Sequence, residues 1–535
     1  MSNNKEKMTL FSKKFLYLGI LQIISAVFFG LILILFVLLY SGEFILIAEN
    51  MWIIYLFVFI LAGSAIYSTL VVIRSRKSDE FRGIKQSKLT SKNIWFMGWS
   101  IWNLLLGILL IIMFVIVYTL VADVLSGELI LLVIVLAFPF FTHGGLFIYS
   151  SLRVFIEKFK RKEKARILPG LTGAGLAFIF LIASFGLTIL FYNPQWAEGV
   201  EYQQLFVSGE QEGRGYRIPA MVVLPGDIIL AFSESRADPF LDWGDIDLVM
   251  KRSTDGGKTW GSIITLRDEG THTAGNPCPV FNNITQTVWL PYCVDNKQVF
   301  IMNSTDYGIT WSAPREITQE LNLELNPSTN PLNLLYATGP GNGIQLSSGR
   351  IIIPSYYFDA RGSHIIYSDD NGTTWEKGGN LNKGSECQVF ERMDGTLLIN
   401  CRTSDGYRYV AESLDGGETW QNGQLDTELP SPGVMSSIFR FTSTTTHSKN
   451  RVLFSNPPYA RGHLTLKMSY DDGETWTISK EIYSGPSAYS QIEILSDYTI
   501  LILFEQGRID YREALVLARL DVSWLTNEQD QLNPK

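Results

Sequence analysis

Residues Ser253 to Trp260 read Ser-Thr-Asp-Gly-Gly-Lys-Thr-Trp, and the pattern Ser-x-Asp-x-Gly-x-Thr-Trp returns without a mismatch at Ser304 to Trp311, Ser368 to Trp375, Ser413 to Trp420 and Ser469 to Trp476. Each copy suits a hairpin turn, in which Asp accepts backbone N–H groups, Gly supplies a positive φ and Trp buries beneath the neighbouring strand. The copies are spaced by 51, 64, 45 and 56 residues, a length that fits one four-stranded propeller blade each. Five copies predict an all-β, six-bladed β-propeller over residues 196–535, the blade without a copy being assembled from both ends of the domain. The repeat argues fold and not activity, and the turns themselves read as stability elements on the outer rim.

Before residue 193 the pattern is different. The 535-residue chain is 47% apolar and 18% charged, and its apolar excess is concentrated in five stretches near 15–40, 51–73, 94–122, 129–151 and 167–192. Each is long enough to cross a hydrocarbon core of about 30 Å as a helix. Lys5, Lys7, Lys13 and Lys14 precede the first, Arg74 to Lys92 fill the second loop and Arg153 to Arg166 the fourth, while the loops between carry only Glu43, Glu49, Asp123 and Glu128. That alternation predicts a multi-pass helical membrane domain over residues 1–195, with a cytoplasmic N-terminus and the propeller outside the cell. The first apolar run is too long for the core of a cleaved signal peptide. His143 is the one ionisable side chain in the spans apart from tyrosines, and with no acidic partner it suggests no transport chemistry.

Charge divides the chain at the same place. Residues 1–195 carry 18 Lys and Arg against 9 Asp and Glu, net +9, and the remainder carries 26 against 43, net −17. So acidic a second half argues against a nucleic-acid partner, which clustered cations would have to hold.

Chemistry has to come from charged and hydroxyl side chains outside the repeats. Candidates are Tyr216-Arg217-Ile218-Pro219, Phe232-Ser-Glu-Ser-Arg236, the aspartates Asp238, Asp242, Asp245 and Asp247, and Glu386, Arg402, Arg461, Tyr489 and Glu505. Asp-Trp-Gly-Asp-Ile at 242–246, Gly-Asn-Pro at 275–277, Gly-Pro-Gly-Asn-Gly-Ile-Gln-Leu at 339–346 and Asn456 to Arg461 join them. With these motifs, residues 200–525 resemble a bacterial exo-α-sialidase of the Asp-box superfamily. The resemblance implies that Arg217, Arg402 and Arg461 clamp a substrate carboxylate, with Arg236 supporting the same region and Glu505 holding Arg217. It implies Tyr489 as nucleophile, Glu386 as its base and Asp242 as acid and base at the glycosidic oxygen. Cys387 follows Glu386 where a small residue or proline is expected, which touches no catalytic position.

The same assignment follows from chemistry. Sialic acid carries a carboxylate on its anomeric carbon, so a carboxylate nucleophile would approach a like charge, whereas a neutral tyrosine would not. Sialidases accordingly depart from the two-carboxylate rule. Three arginines give bidentate bonds to a carboxylate that lysines do not match. The hairpin from Glu386 to Arg402 offers a check: a three-residue loop at Met393-Asp394-Gly395 sets Glu386 opposite Arg402 and Cys387 opposite Cys401. A similar count across the turn near Ile284 sets Cys278 opposite Cys293, so two cross-strand disulfides are the preferred reading for an external domain, with buried free thiols as the alternative. The chemistry needs no cofactor and no metal. Expected partners are sialylated glycans and the lipid bilayer, and Asn276 and Tyr356-Tyr357-Phe358 are candidates to line the pocket. The competing readings are a catalytically inactive propeller that binds glycans or proteins, and a trans-sialidase; a binder has no reason to keep a nucleophile with its base.

Overall fold

The computed structural model describes residues 194–210, 213–323 and 335–533, so the five expected membrane spans lie outside the described residues. Among the described residues no helix is long and apolar enough to cross a membrane. What they form is all-β, with one short helix at Val522–Leu525.

Strand follows strand in antiparallel meanders. Gly215–Leu224, Ile228–Arg236, Ile246–Ser253 and Ile264–Arg267 make the first sheet. In each of the next two the innermost strand is broken in two: Ala274–Gly275 and Val280–Asn282 both pair with Thr287–Val294, and Tyr336–Thr338 and Ile344–Gln345 both pair with Ile351–Tyr357. Cys387–Glu391, Leu397–Cys401, Tyr407–Ser413 and Gln421–Pro430 make the fourth. A seven-stranded sheet completes the set; its 17-residue strand Ile478–Ile494 pairs first with Gly462–Ser469 and then with Ile500–Gln506, joining two four-stranded units. Glu201–Val207 pairs with Ala514–Leu520, so the beginning of this region completes its last unit.

Alternation explains the packing. On Ile228–Arg236, Leu230 and Phe232 meet Val288 and Leu290 of the second sheet, while Ile229 and Ala231 meet Leu501, Leu503 and Leu515 of the last. A strand buried on both faces reads as a continuous apolar run, and period 2 hands alternate residues to two neighbours. The first sheet thus packs against the second and the last, an arrangement consistent with a β-propeller.

The repeat closes its turns as its residue types require. In the first copy Asp255 Oδ1 accepts from Thr259 N at 2.9 Å, Ser253 Oγ accepts from Gly257 N at 2.9 Å, and Gly257 has φ +80°. At the third copy a Cβ on Gly372 would sit 2.2 Å from Trp289, so backbone and ring approach as only glycine permits. Trp375 and Trp476 are buried, but Trp260, Trp311 and Trp420 remain half-exposed, a departure from uniform burial. All five turns follow the third strand of their sheet. The candidate chemical residues sit at the opposite end, where first and third strands begin and second strands stop.

The hairpin after Glu386 has the predicted register, with Cys387 opposite Cys401 and Gly395 at φ +86°. Of the two readings of the cysteines, the structure has the thiols rather than the preferred disulfides: all four are free and buried. Val280 pairs with Trp289 and Cys278 N donates to Pro291 O at 3.1 Å, so Cys278 is two residues out of register with Cys293.

Candidate functional site

Two backbone irregularities build the centre. The pairing of Gly215–Leu224 with its neighbour shifts between Arg217 and Ala220, where Ile218 adopts φ +62°, unusual for a β-branched residue. A second shift lies between Ser487 and Ser490. Glu505, fully buried, holds both. Its Oε1 accepts from Arg217 Nε at 2.9 Å and Ile218 N at 3.2 Å, and its Oε2 from Arg217 Nη2 at 3.1 Å and Tyr489 N at 3.2 Å. Four donors on one carboxylate satisfy a charge that burial would otherwise penalise heavily. Burial works against the Arg217 charge, but its neighbours, Glu505 foremost, together outweigh it and keep the guanidinium protonated.

Tyr489, 5% exposed, lies at the focus of three guanidinium groups. The Arg217 and Arg461 Cζ atoms are 5.3 and 5.8 Å from its ring centroid, and Arg402 Nη1 donates to its hydroxyl at 2.8 Å. The Tyr489 O–H donates to Glu386 Oε1, and Arg402 Nη1 also reaches Glu386 Oε2 at 2.6 Å. Burial, then the Glu386 charge, push the phenol well above its usual pKa, and the arginines do not offset this. At neutral pH the hydroxyl therefore keeps its proton. Such a site can hold an anion beside a phenol already hydrogen-bonded to a carboxylate able to accept its proton.

Asp242 is the one of the four neighbouring aspartates that reaches these arginines. Its Oδ1 accepts from Arg236 Nη1 at 2.6 Å and Arg217 Nη1 at 3.3 Å, although its side chain is 69% exposed. Partial burial favours the protonated form, but Arg236 and then Arg217 prevail and hold the carboxyl below its usual range. Asp238 caps its own turn through Phe240 N at 2.9 Å, and Asp245 and Asp247 share Arg214 at 2.8 and 2.9 Å. Arg236, 2% exposed, lies beneath Asp242 with Glu234 at 2.5 Å. Asn276 enters through its backbone: its N–H donates to Glu234 Oε1 at 2.9 Å.

Three further residues join this constellation; Glu234 and Tyr356 stood within candidate stretches of the sequence, whereas Tyr511 was not singled out. Tyr511 accepts from Arg461 Nη1 at 2.8 Å and lies under Arg217 at 5.3 Å. Glu234 anchors Arg236; its signal was its place two residues before Arg236 on one strand, hence on the same face. Burial, and then the Glu386 charge, push the Tyr356 phenol, 5% exposed, well above its usual pKa, whereas Phe358 is 42% exposed.

Four residues past Tyr489, Glu493 is 6% exposed and accepts from Asn342 Nδ2 at 2.7 Å. Burial pushes its pKa from 4.5 up to about 8, the hydrogen bonds from Asn342 and the backbone offsetting only part. The folded-state value lies above the unfolded one, so stability present below 4.5 is lost as pH rises toward about 8. Glu493→Gln, which stays neutral, is expected to match the parent in thermal unfolding at about pH 4.5 and to exceed it by several degrees at about pH 8.5. A difference independent of pH would show that Glu493 does not carry that proton.

A family model described as a BNR repeat-like domain matches residues 231–503. A sialidase of Micromonospora viridifaciens is 32% identical over 361 residues, 60% of this chain and 54% of the relative. An exo-alpha-sialidase of Aspergillus fumigatus is 30% identical over 366 residues, covering 58% of this chain and 85% of the relative. The chain spans 54% and 61% of the length of two curated relatives, the second a sialidase of Bacteroides fragilis. Among solved structures, a Hadza microbial sialidase superposes with a TM-score of 0.52 at 26% identity, covering 58% of this chain and 66% of that one. An intramolecular trans-sialidase from Ruminococcus gnavus, at 17% identity and a TM-score of 0.52 over 60% of this chain and 98% of that one, shares the fold. Matching that family model over residues 231–503, this chain belongs to the BNR-repeat sialidase family.

Proposed function

We propose that this chain is a retaining exo-α-sialidase, or neuraminidase, that releases terminal sialic acid from glycoproteins, glycolipids and oligosaccharides on a six-bladed propeller. The observation that carries the reading is the Tyr489 hydroxyl in contact with both Glu386 and Arg402. The substrate carboxylate binds Arg217, Arg402 and Arg461. Asp242 now bonds Arg217 and Arg236, and an ionised carboxylate cannot serve as an acid. An arriving substrate carboxylate competes for Arg217; Asp242 then loses a cation and gains an anionic neighbour, and both raise its affinity for a proton.

Tyr489 oxygen attacks the anomeric carbon while its proton passes to Glu386. The bond to the leaving oxygen breaks, and that oxygen takes a proton from Asp242. Water, giving its proton to Asp242, then attacks the tyrosyl adduct; the carbon–tyrosine bond breaks and Glu386 returns the proton. Two displacements retain the anomeric configuration. The test is the full chain incubated with 4-methylumbelliferyl sialoside. Fluorescence is expected, and none at any value from about pH 4 to 8 would favour a glycan-binding propeller.

Residues 1–195 are the proposed anchor, a five-span helical domain in the cell membrane with the N-terminus cytoplasmic and the catalytic half outside, read from the loop charges. Protease added to intact cells is expected to release the C-terminal half and spare the loop from Arg153 to Arg166. Cleavage within that loop would overturn the topology.

A further inference from the structure

The segment from Ala237 to Asp245 carries Asp242 across the site, and its backbone is pinned on both sides of that residue. Ala237 N donates to Asp245 O at 3.0 Å, closing the segment at its base. Arg236 Nη1 donates to Leu241 O at 2.9 Å. Gly244 N donates to Thr273 Oγ1 at 3.0 Å, and Thr273 Oγ1 donates to Gly244 O at 3.1 Å. The Phe240 ring lies 5.1 Å from Arg512 Cζ, linking the segment to the loop that carries Tyr511.

Between the pins at 241 and 244, Asp242 turns to the arginines and Trp243 turns outward, 66% exposed. Among the described residues Trp243 makes no hydrogen bond or ring contact. A lone exposed apolar side chain is ordinary. Its position is what matters: it is an exposed, unpartnered indole on a pinned stretch of backbone, next in sequence to Asp242.

In-line displacement by Tyr489 puts the leaving oxygen on the opposite side of the anomeric carbon, where Asp242 has to meet it. The first unit of the leaving group therefore lies against the segment that carries Asp242. A pyranose presents a face of polarised C–H bonds, which the electron-rich face of an indole attracts.

We propose that Trp243 is a stacking platform for the first sugar of the leaving group, so that the site favours sialic acid joined to a pyranose over sialosides of small alcohols. The proposal rests on the sialidase reading above. Its test compares sialyllactose with methyl α-sialoside, whose leaving oxygen is also an alkoxide but carries no ring. Trp243→Ala in the full chain is expected to lower kcat/KM for sialyllactose about tenfold while changing that for the methyl sialoside less than about twofold. Binding of the unsaturated sialic acid analogue, which has no leaving group, should not change, and Trp243→Phe should recover most of the loss. Equal losses on both substrates, or none on either, would overturn the platform while leaving the sialidase reading intact. A parent chain that turns over neither substrate would remove both.

Discussion

Tyr489→Phe is expected to lower kcat for sialosides by at least about a thousandfold while leaving affinity for the unsaturated sialic acid analogue within about threefold of the parent. The substitution removes one oxygen atom. The ring keeps its packing against Ile218, Val434, Met435 and Ala488, and the backbone N–H keeps its bond to Glu505. Glu386 and Arg402 lose a shared partner but remain bonded to each other at 2.6 Å, so no buried charge is stranded. The three arginines stay where they are, which is why binding should survive. Glu386→Gln leaves the phenol in place without a base, and because burial keeps that phenol protonated its loss should fall in the range of about 10² to 10⁴ for a removed base. A Tyr489→Phe chain within about tenfold of the parent would remove Tyr489 from the nucleophile role.

What was legible in the sequence depended on range. The turns were readable because the Ser and Asp side chains that close them find their partners within four residues, as from Asp255 to Thr259. The register from Glu386 to Arg402 was readable because one glycine in a three-residue loop fixes every pair behind it. The same counting failed for Cys278, where the turn around Asn282 and Gln286 sets a register two residues away. The contact of Arg217 with Glu505 spans 288 residues, and no local pattern encodes it; the resemblance supplied it. Tyr511 went unnoticed because nothing near it in sequence marks a tyrosine that takes a bond from Arg461, 50 residues away. That Asp242 rests on two arginines was also invisible, since pairing depends on where the segment folds and not on which aspartate it carries.

That resting position makes Asp242→Ala the most discriminating substitution in the site. In the proposed cycle Asp242 protonates the leaving oxygen, a step that matters in proportion to how poor the leaving group is. An alkoxide from a sugar needs the proton, whereas an aryl oxide such as 4-methylumbelliferone leaves without it. Asp242→Ala is therefore expected to slow sialyllactose by about 10² to 10⁴ while sparing the aryl sialoside to within about tenfold. The carboxylate also competes with substrate for Arg217 at 3.3 Å, so its removal should tighten binding of the unsaturated sialic acid analogue. Arg236 keeps Glu234 at 2.5 Å and Leu241 O at 2.9 Å, and the segment keeps its bonds through Thr273, so the change should not unfold the loop. Equal losses on both substrate types would take Asp242 out of the acid role. A selective loss in Asp238→Ala instead would transfer that role to Asp238, although its Oδ1 is bonded to Phe240 N and turned to its own loop.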